Sequence, residues 1–274
     1  MRAQMAATPI ESTRLTAALT MLSGPGGNVI TLAGTEGKLI IDTFVKGAFA
    51  GLKQRLDAMG TEPILFAIDT HWHFDHADNN ESVHNAGATL VAHENTRKRL
   101  SESHDLLGMH FTPAPAAALP TETFKQNHRL PLNTEYLELG YFPPAHTDTD
   151  IYVQFVLSEV LHVGDIFFNG MYPFIDAGTG GNIKGMITAA DRALKMAGPK
   201  AKIIPGHGPL ADREALVKYR DMLVTVRDRI EKLKTSGRTE KEAVAAKPTG
   251  DLDAAWGKGF IQPDAFVAMV YNTL

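Results

Sequence analysis

The sequence predicts an α/β fold, for three reasons. Two short β-rich runs occur early, at Val29 to Ala33 and Lys38 to Asp42, and the segment Gly34 to Gly37 between them is typical of a hairpin turn. The apolar run Ile64 to Ile68 predicts a buried strand. After it, segments with helical spacing alternate with short β-rich runs, which is the pattern of an α/β domain.

Apolar residues at helical spacing predict the helices, and the β-rich runs between them predict further strands. The predicted helices are Phe44 to Met59, Asp78 to Asn85, Glu94 to Glu102, Met186 to Ala197, Glu214 to Lys234 and Pro263 to Tyr271. The further strands are Thr89 to Ala92, Tyr136 to Leu139, Ile151 to Leu157, Val160 to Val163 and Lys202 to Ile204. Thr239 and Glu242 form a capping-box pattern. We expect one main domain at residues 1–235 and a C-terminal helical extension, residues 236–274, packed on it.

The charge and composition of the chain limit its partners. With 27 Lys and Arg against 31 Asp and Glu, the net charge of −4 offers no broad attraction to phosphate backbones, so we expect no nucleic-acid partner. No apolar run approaches the length of a membrane span, and residues 1–22 contain no uninterrupted apolar segment of signal-peptide length. We therefore expect a small-molecule substrate, no membrane partner and a cytoplasmic location, or a periplasmic one if a leader has been trimmed. The oligomeric state stays open.

The segment His71-Trp72-His73-Phe74-Asp75-His76 holds four potential metal ligands directly after a predicted strand. Alternation along an extended segment directs His71 and His73 to the same side, so the two imidazoles can share one cation. Asp75 and His76 begin the following turn, where they can reach a second cation. Because the chain contains no Cys, imidazole and carboxylate groups must hold any metal.

Three further potential ligands, His146, Asp165 and His207, each lie where a predicted strand meets a loop. Glycines beside Asp165 and His207 supply the backbone freedom for sharp turns. Four side chains cannot complete two coordination shells, so a two-metal site needs additional ligands of this kind. These positions therefore predict a metal site with ligands from several strand ends.

Other parts of the sequence have plainer interpretations. We expect structural roles for the histidines without a ligand-spaced neighbour, which are His84, His93, His104, His110, His128 and His162. The Pro-rich stretch between Leu106 and Pro120 is either a loop that shapes the substrate cleft or a surface connector.

Taken in order, these motifs resemble the five metal motifs of the metallo-β-lactamase fold superfamily. The motifs are the His71 to His76 segment, His146, the Gly164-Asp165 pair and the Pro205-Gly206-His207-Gly208 turn. The resemblance covers Val29 to about Leu210. It implies an αββα sandwich, in which two mixed β-sheets pack face to face with helices on the outer faces, and it makes residues 1–235 a metal-hydrolase domain.

The resemblance also implies two zinc ions per chain, although Fe and Mn suit the same donors. The implied ligands are His71, His73 and His146 for one ion, Asp75, His76 and His207 for the other, and Asp165 as a bridge between both.

Zinc-bound water supplies hydroxide near neutral pH, so we expect a hydrolase that attacks a carbonyl in a thioester, lactone, ester or β-lactam with a metal-bound hydroxide. We expect Asp75 to orient the hydroxide, and Asn182 resembles in place the carbonyl-binding asparagine of β-lactamases. Lys184 is either an anion-binding or a solvated residue. Asp165 stands where β-lactamases often carry Cys, so we expect β-lactam cleavage as a side activity. The alternative function is a mononuclear iron oxidoreductase of the persulfide-dioxygenase type.

Overall fold

The computed structural model describes residues 2–274, which form two compact units. The first unit comprises residues up to Tyr141 together with Ile151–His162, and the second comprises Phe142–Asp150 together with Val163–Leu274.

The first unit contains most of the β structure. Its strands are β1 (Glu11–Arg14), β2 (Leu19–Ser23), β3 (Asn28–Gly34), β4 (Gly37–Ile41), β5 (Ile64–Ile68), β6 (Thr89–His93), β7 (His104–Leu106), β8 (Met109–Phe111), β9 (Glu122–Phe124), β10 (Asn127–Leu132), β11 (Glu135–Tyr141), β12 (Ile151–Phe155) and β13 (Val160–His162). Its helices are α1 (Arg2–Ala6), α2 (Phe49–Asp57), α3 (Phe74–Ala77), α4 (Asn80–Asn85) and α5 (Glu94–Leu100).

The first sheet has seven strands in the order β1-β2-β3-β4-β5-β6-β9. Strands β1 to β4 pair antiparallel, whereas β4, β5, β6 and β9 pair parallel, so the sheet is mixed. All five residues of β4 are buried, which means that both faces of this central strand are covered. The parallel half brings the carboxyl ends of β4 and β5 to the same edge, and this edge carries the predicted metal motif.

Strands β10 to β13 belong to the second sheet and pair antiparallel in chain order. Asn133, in the turn between β10 and β11, joins this sheet to the β3–β4 hairpin, because its side chain accepts from Glu36 N (2.9 Å) and donates to Gly37 O (2.8 Å). Strands β7 and β8 form a separate hairpin. The predicted fold class, α/β with two main sheets, is therefore confirmed.

The second unit is largely helical. Its regular elements are α6 (Ile183–Met196), β14 (Lys202–Ile204), α7 (Arg213–Thr235), α8 (Glu240–Ala245), α9 (Asp253–Trp256) and α10 (Pro263–Asn272). The predicted capping box is present at α8, where Thr239 Oγ1 accepts from Glu242 N and the Glu242 side chain accepts from Thr239 N. Helix α10 packs on α7 and α8, so the C-terminal segment lies within the second unit. A domain boundary at residues 235/236 stays a prediction.

Helix α2 begins at Phe49, five residues later than the predicted start at Phe44. Asp42 and Phe44 have left-handed backbone angles, with φ of 66° and 63°, which a helix does not accept. In addition, the Asn79 side-chain amide donates to the carbonyls of residues 43, 44 and 45. The carbonyls of residues 43 and 44 are therefore bound by a side chain and not by helical N–H groups, and the Val45 carbonyl accepts from Ala48 N only in a single turn.

Six strands were not predicted from the sequence, namely β1, β2, β7, β8, β9 and β10. Strand β1 is exposed along its length and therefore lacks the apolar signal of a core strand. Strand β10 alternates buried Leu130 and Leu132 with exposed residues, but Pro131 interrupts the pattern. The stretch predicted as a loop contains much of the β7–β8 hairpin and a short 3₁₀ turn at Ala116–Ala118. None of the helices formed by residues 2–274 is long and apolar enough to cross a bilayer.

Candidate metal centre

The four predicted ligands of the first unit lie close together, and we call them the first ligand set (His71, His73, Asp75 and His76). They follow β5 directly, and the extended backbone of His73 leads into α3, which carries Asp75 and His76. The His71 ring centroid lies 4.8 Å from that of His73 and 4.2 Å from that of His76. All three imidazoles are buried. Buried imidazoles at this spacing suit cation binding, because three imidazolium ions could not share the space.

Asp42, at the end of β4, fixes the orientation of this set. Its carboxylate accepts hydrogen bonds from Thr70 N (2.7 Å), Thr70 Oγ1 (2.8 Å) and His76 Nδ1 (2.7 Å). Because the Thr70 hydroxyl donates its O–H to Asp42, its oxygen accepts a hydrogen bond from His71 Nδ1 (3.1 Å). Both imidazoles are therefore held with the proton on Nδ1 and with Nε2 available as the ligand atom. Asp42 was not predicted as a site residue; its position after an apolar strand is visible in the sequence, but its distant partner His76 is not.

A glycine permits the close approach of another segment to Asp75. Gly26 has a φ of +114°, and a Cβ at this position would lie 2.7 Å from Asp75 Cβ. A side chain at residue 26 would therefore both strain the backbone and displace this ligand.

The second unit brings together the other three predicted ligands, which we call the second ligand set (His146, Asp165 and His207). Asp165 Oδ2 lies 3.5 Å from His146 Nε2 and 3.2 Å from His207 Nε2. Asp165 lies in a 3₁₀ turn, and Gly206 packs so closely that a Cβ there would overlap the Asp165 carboxylate. Gly206 is therefore required by packing, whereas Gly164 and Gly208 have the left-handed backbone angles that favour glycine, with φ of 54° and 95°.

His146 is oriented by two groups that the sequence analysis did not identify. Its Nδ1 donates to the carbonyl of Phe174 (2.9 Å), so Nε2 faces Asp165. The carboxyl of Asp150 accepts from the backbone N–H groups of His146 (2.8 Å) and Thr147 (2.9 Å) and from Thr147 Oγ1 (2.6 Å). Burial raises the pKa of Asp150 to about 7, because desolvation outweighs these hydrogen bonds.

The donors of both sets fit zinc. A tetrahedral Zn²⁺ shell with bonds of 2.0–2.1 Å places neighbouring ligand atoms about 3.3 Å apart. Within the second set the nitrogen–oxygen separations are 3.2 and 3.5 Å, and within the first set His76 Nε2 lies 3.8 Å from Asp75 Oδ2. In addition, the Nδ1 atoms of His71, His76 and His146 each donate to an outer partner, as metal-ligating histidines commonly do.

Asn182, predicted to bind the substrate carbonyl, caps helix α6. Its Oδ1 accepts from Gly185 N (2.7 Å), and its amide donates to Pro144 O (3.2 Å) and Gly180 O (3.1 Å). A role toward substrate stays a prediction. Lys184 pairs with Glu231 at 3.2 Å, and both side chains are about half exposed, which favours the solvated interpretation.

Five other histidines, namely His84, His93, His104, His110 and His128, have partners outside the ligand sets. His93 Nε2 donates to Lys125 O (2.9 Å), and its ring stacks on Tyr141 at 4.0 Å. His104 Nε2 donates to Arg99 O (2.9 Å). These contacts agree with the structural roles predicted for them.

Replacement of Asp42 by Asn should weaken metal binding. Asn keeps the shape of the side chain but loses the charge that fixes the His76 and Thr70–His71 hydrogen bonds, and loss of such an outer partner typically costs about 10- to 100-fold in metal affinity. Competition with a chromogenic chelator measures the zinc dissociation constant. Asp57→Asn is the matched control, because Asp57 pairs with Lys53 at the surface. Equal affinities for the two variants would contradict the role of Asp42.

The stability of the metal-free protein should contain a pH-dependent contribution from Asp150. The folded pKa of about 7 lies above the unfolded value of 3.8, so folding favours the protonated acid. The stabilisation is complete below about pH 4 and is lost as pH rises to about 7, at no more than about 1.4 kcal/mol per pH unit. Relative to Asp150→Asn, the wild-type chain should thus lose stability across this window in urea titrations. A difference that is constant from pH 4 to 7 would refute the assignment.

The sequence profile of the Metallo-beta-lactamase superfamily matches residues 23–207. Comparison of the sequence with curated proteins finds no significant match. Among solved structures, a metallo-beta-lactamase from Pontibacter korlensis is 21% identical with a TM-score of 0.67, over 78% of this chain and 99% of that one. The DIM-1 metallo-beta-lactamase is 19% identical with a TM-score of 0.65, over 79% of this chain and 98% of that one.

A third similar structure is the stereoselective inverting sec-alkylsulfatase Pisa1 from Pseudomonas sp., which is 18% identical with a TM-score of 0.71. It covers 96% of this chain, although this chain spans only 50% of Pisa1. At these identities the structures establish a shared fold. Because the superfamily profile matches well over half of the 274 residues, the chain belongs to the Metallo-beta-lactamase superfamily.

Proposed function

We propose that this protein is a dinuclear zinc-dependent hydrolase that cleaves a carbonyl substrate, namely a thioester, lactone, ester or β-lactam. The observation that carries the proposal is Asp165, whose Oδ2 faces the Nε2 atoms of both His146 and His207 at 3.5 and 3.2 Å. A carboxylate between two imidazoles suits a ligand shared by two cations, because its charge screens their repulsion.

The assignment of ligands follows the order of the superfamily motifs. One ion is assigned to His71, His73 and His146, the other to Asp75, His76 and His207, with Asp165 bridging. Membership of the superfamily and the donor chemistry of the two ligand sets support this assignment. Bound zinc lowers the pKa of coordinated water to near 7 and polarises a carbonyl oxygen.

The residues around the ligands have supporting tasks in this proposal. Asp42 holds His76 Nδ1 directly and His71 Nδ1 through Thr70, so that the Nε2 atom of each ring is the one presented to a metal ion. The Phe174 carbonyl does the same for His146. Asp75 lies 3.8 Å from His76 and contributes a carboxylate that orients the attacking water. These fixed groups reduce reorganisation when the substrate reacts.

Three alternative reactions can be distinguished from carbonyl hydrolysis by experiment. An iron oxidoreductase of the persulfide-dioxygenase type would need one Fe per chain and would consume oxygen. Sulfate-ester cleavage is suggested by the similar sec-alkylsulfatase fold, which extends over 96% of this chain. Phosphodiester cleavage would use a similar metal pair. We prefer the carbonyl substrate because an Asp bridge resembles the pattern of the superfamily's thioesterases and lactonases.

Metal analysis combined with a substrate panel tests the proposal. The purified chain should contain about two zinc ions, and it should hydrolyse at least one of nitrocefin, an S-acyl thioester and a lactone. Asp165→Asn and His73→Ala should each lower kcat/KM by at least about 10²-fold. Asp191→Asn, whose carboxylate pairs with Arg220 outside both ligand sets, is the control. Activity confined to a secondary alkyl sulfate or a phosphodiester, or one Fe with oxygen uptake, would reject the carbonyl hydrolase.

The variant Asn182→Ser distinguishes a helix-capping role of Asn182 from a role in substrate binding. Ser retains the acceptor for Gly185 N, so the melting temperature should change little. If the amide also contacts the substrate carbonyl, kcat/KM should fall about tenfold. This is less than the 10²–10³ of a dedicated oxyanion donor, because two backbone carbonyls already hold the amide. Unchanged kinetics with an intact melting temperature would leave Asn182 with its capping role alone.

A further inference from the structure

The first unit contains a cavity of about 520 Å³ on the side of α3 that presents Phe74 and Asp78. Its wall is formed by α3 and α4, by the segment from Arg99 to Ala118 and by Lys46 to Ala50. The volume falls within the range of small-molecule sites. None of the seven proposed metal ligands lines it, so the cavity is a feature separate from the ligand sets.

One corner of this cavity has the composition of a cation-binding site, and we call it the cation cage (Phe74, Phe111 and Asp78). The rings of Phe74 and Phe111 lie 5.6 Å apart with an interplanar angle of 29°. Both belong to the cavity wall, as does the Asp78 carboxylate. Two aromatic faces beside one carboxylate attract a cation both by the ring quadrupoles and by direct charge.

The cage already contains a cation, the guanidinium of Arg2. Its Cζ lies 5.0 Å from the Phe74 centroid and 4.5 Å from the Phe111 centroid, and its Nη2 donates to Asp78 Oδ1 at 3.0 Å. The other carboxylate oxygen accepts from Lys46 N at 3.2 Å, which fixes the carboxylate plane. The contacts of Arg2 thus demonstrate which chemistry the cage accepts: a flat, delocalised cation.

Arg2 is an exchangeable occupant. It lies on α1, a helix of five residues none of which is buried, so withdrawal of α1 exposes little apolar surface. The Arg2 side chain is itself 35% exposed, whereas Asp78 is 16% exposed. Asp78 and the rings therefore stay in place as a partly desolvated receptor when Arg2 leaves.

The geometry points to a second binding site in this protein, at which the cation cage takes a guanidinium or amidinium group of a small ligand in competition with Arg2. The adjoining cavity accommodates the remainder of the ligand. Apolar wall residues such as Phe49 and Pro113 favour a hydrocarbon attachment. This inference does not depend on the reaction at the metal ligands, and its test measures binding without turnover.

Trp72 provides the optical signal, because it lines the same cavity and its ring lies 4.7 Å from that of His104. In a Trp256→Phe background Trp72 is the sole tryptophan of the chain. The metal-loaded protein is titrated with ethylguanidinium chloride at constant ionic strength, with N-ethylurea as the neutral probe of similar shape. Trp256→Phe is compared with Trp256→Phe/Arg2→Ala, and circular dichroism verifies that both are folded. If Arg2→Ala does not fold, Arg2→Gln removes the charge and keeps the chain length.

We expect saturable binding of ethylguanidinium to the Arg2→Ala protein with a dissociation constant in the millimolar range, and at least tenfold weaker binding when Arg2 is present. Adding Phe111→Ala or Asp78→Asn to the Arg2→Ala protein should weaken binding at least tenfold. Asp57→Asn, which changes an exposed carboxylate of α2 outside the cavity wall, should not. The inference is overturned if binding is absent in the folded Arg2→Ala protein, if it is indifferent to Arg2 or to Asp78, or if N-ethylurea binds equally well.

Discussion

The carboxylate of Asp42 is the interaction on which the first ligand set depends. It joins the end of β4 to Thr70, and through Thr70 and His76 it decides which nitrogen of two imidazoles carries the proton. The residue holds a left-handed backbone angle of 66°, a conformation that costs on the order of 1–3 kcal/mol outside glycine. The three hydrogen bonds that its buried carboxylate accepts offset that cost. The hydrogen bonds to Asp42 therefore both stabilise its strained backbone and orient the ligands His71 and His76.

In the second unit, different groups orient the proposed ligands. His146 is fixed by a backbone carbonyl on one side and by an Asp150-centred turn on the other, and Asp165 is confined by the backbone at Gly206. In both units the ligands lie on short turns after strands, where backbone geometry is variable, and the rigidity comes from buried carboxylates that accept several hydrogen bonds each. Such carboxylates tolerate burial because three donors lie within hydrogen-bond distance of each.

The seven proposed ligand positions and the central strands both have local signatures in the sequence. The His71 to His76 segment is compact, β4 and β5 are apolar runs, and the Thr239–Glu242 box spans four residues. Asp42 escaped prediction for a physical reason, because partners such as His76, 34 positions away, come near it only in the folded chain. Asp150 has partners only three and four positions away, but an Asp that accepts from nearby backbone N–H groups is common in turns and does not by itself indicate a site. The late start of α2 could not be predicted from local sequence either. The Asn79 side chain, which comes from a distant part of the chain, binds the carbonyls of residues 43–45.

The contact between Gly206 and Asp165 restricts how this protein can change. Every amino acid except glycine would place a Cβ atom against the Asp165 carboxylate. Larger side chains at position 206 therefore cannot be used to adjust the geometry of the neighbouring ligands in small steps. Altered metal preference must arise instead by exchange of Asp165 itself or of the groups that orient His146. A library that varies those positions and leaves residue 206 constant would explore the accessible variants of this centre most efficiently.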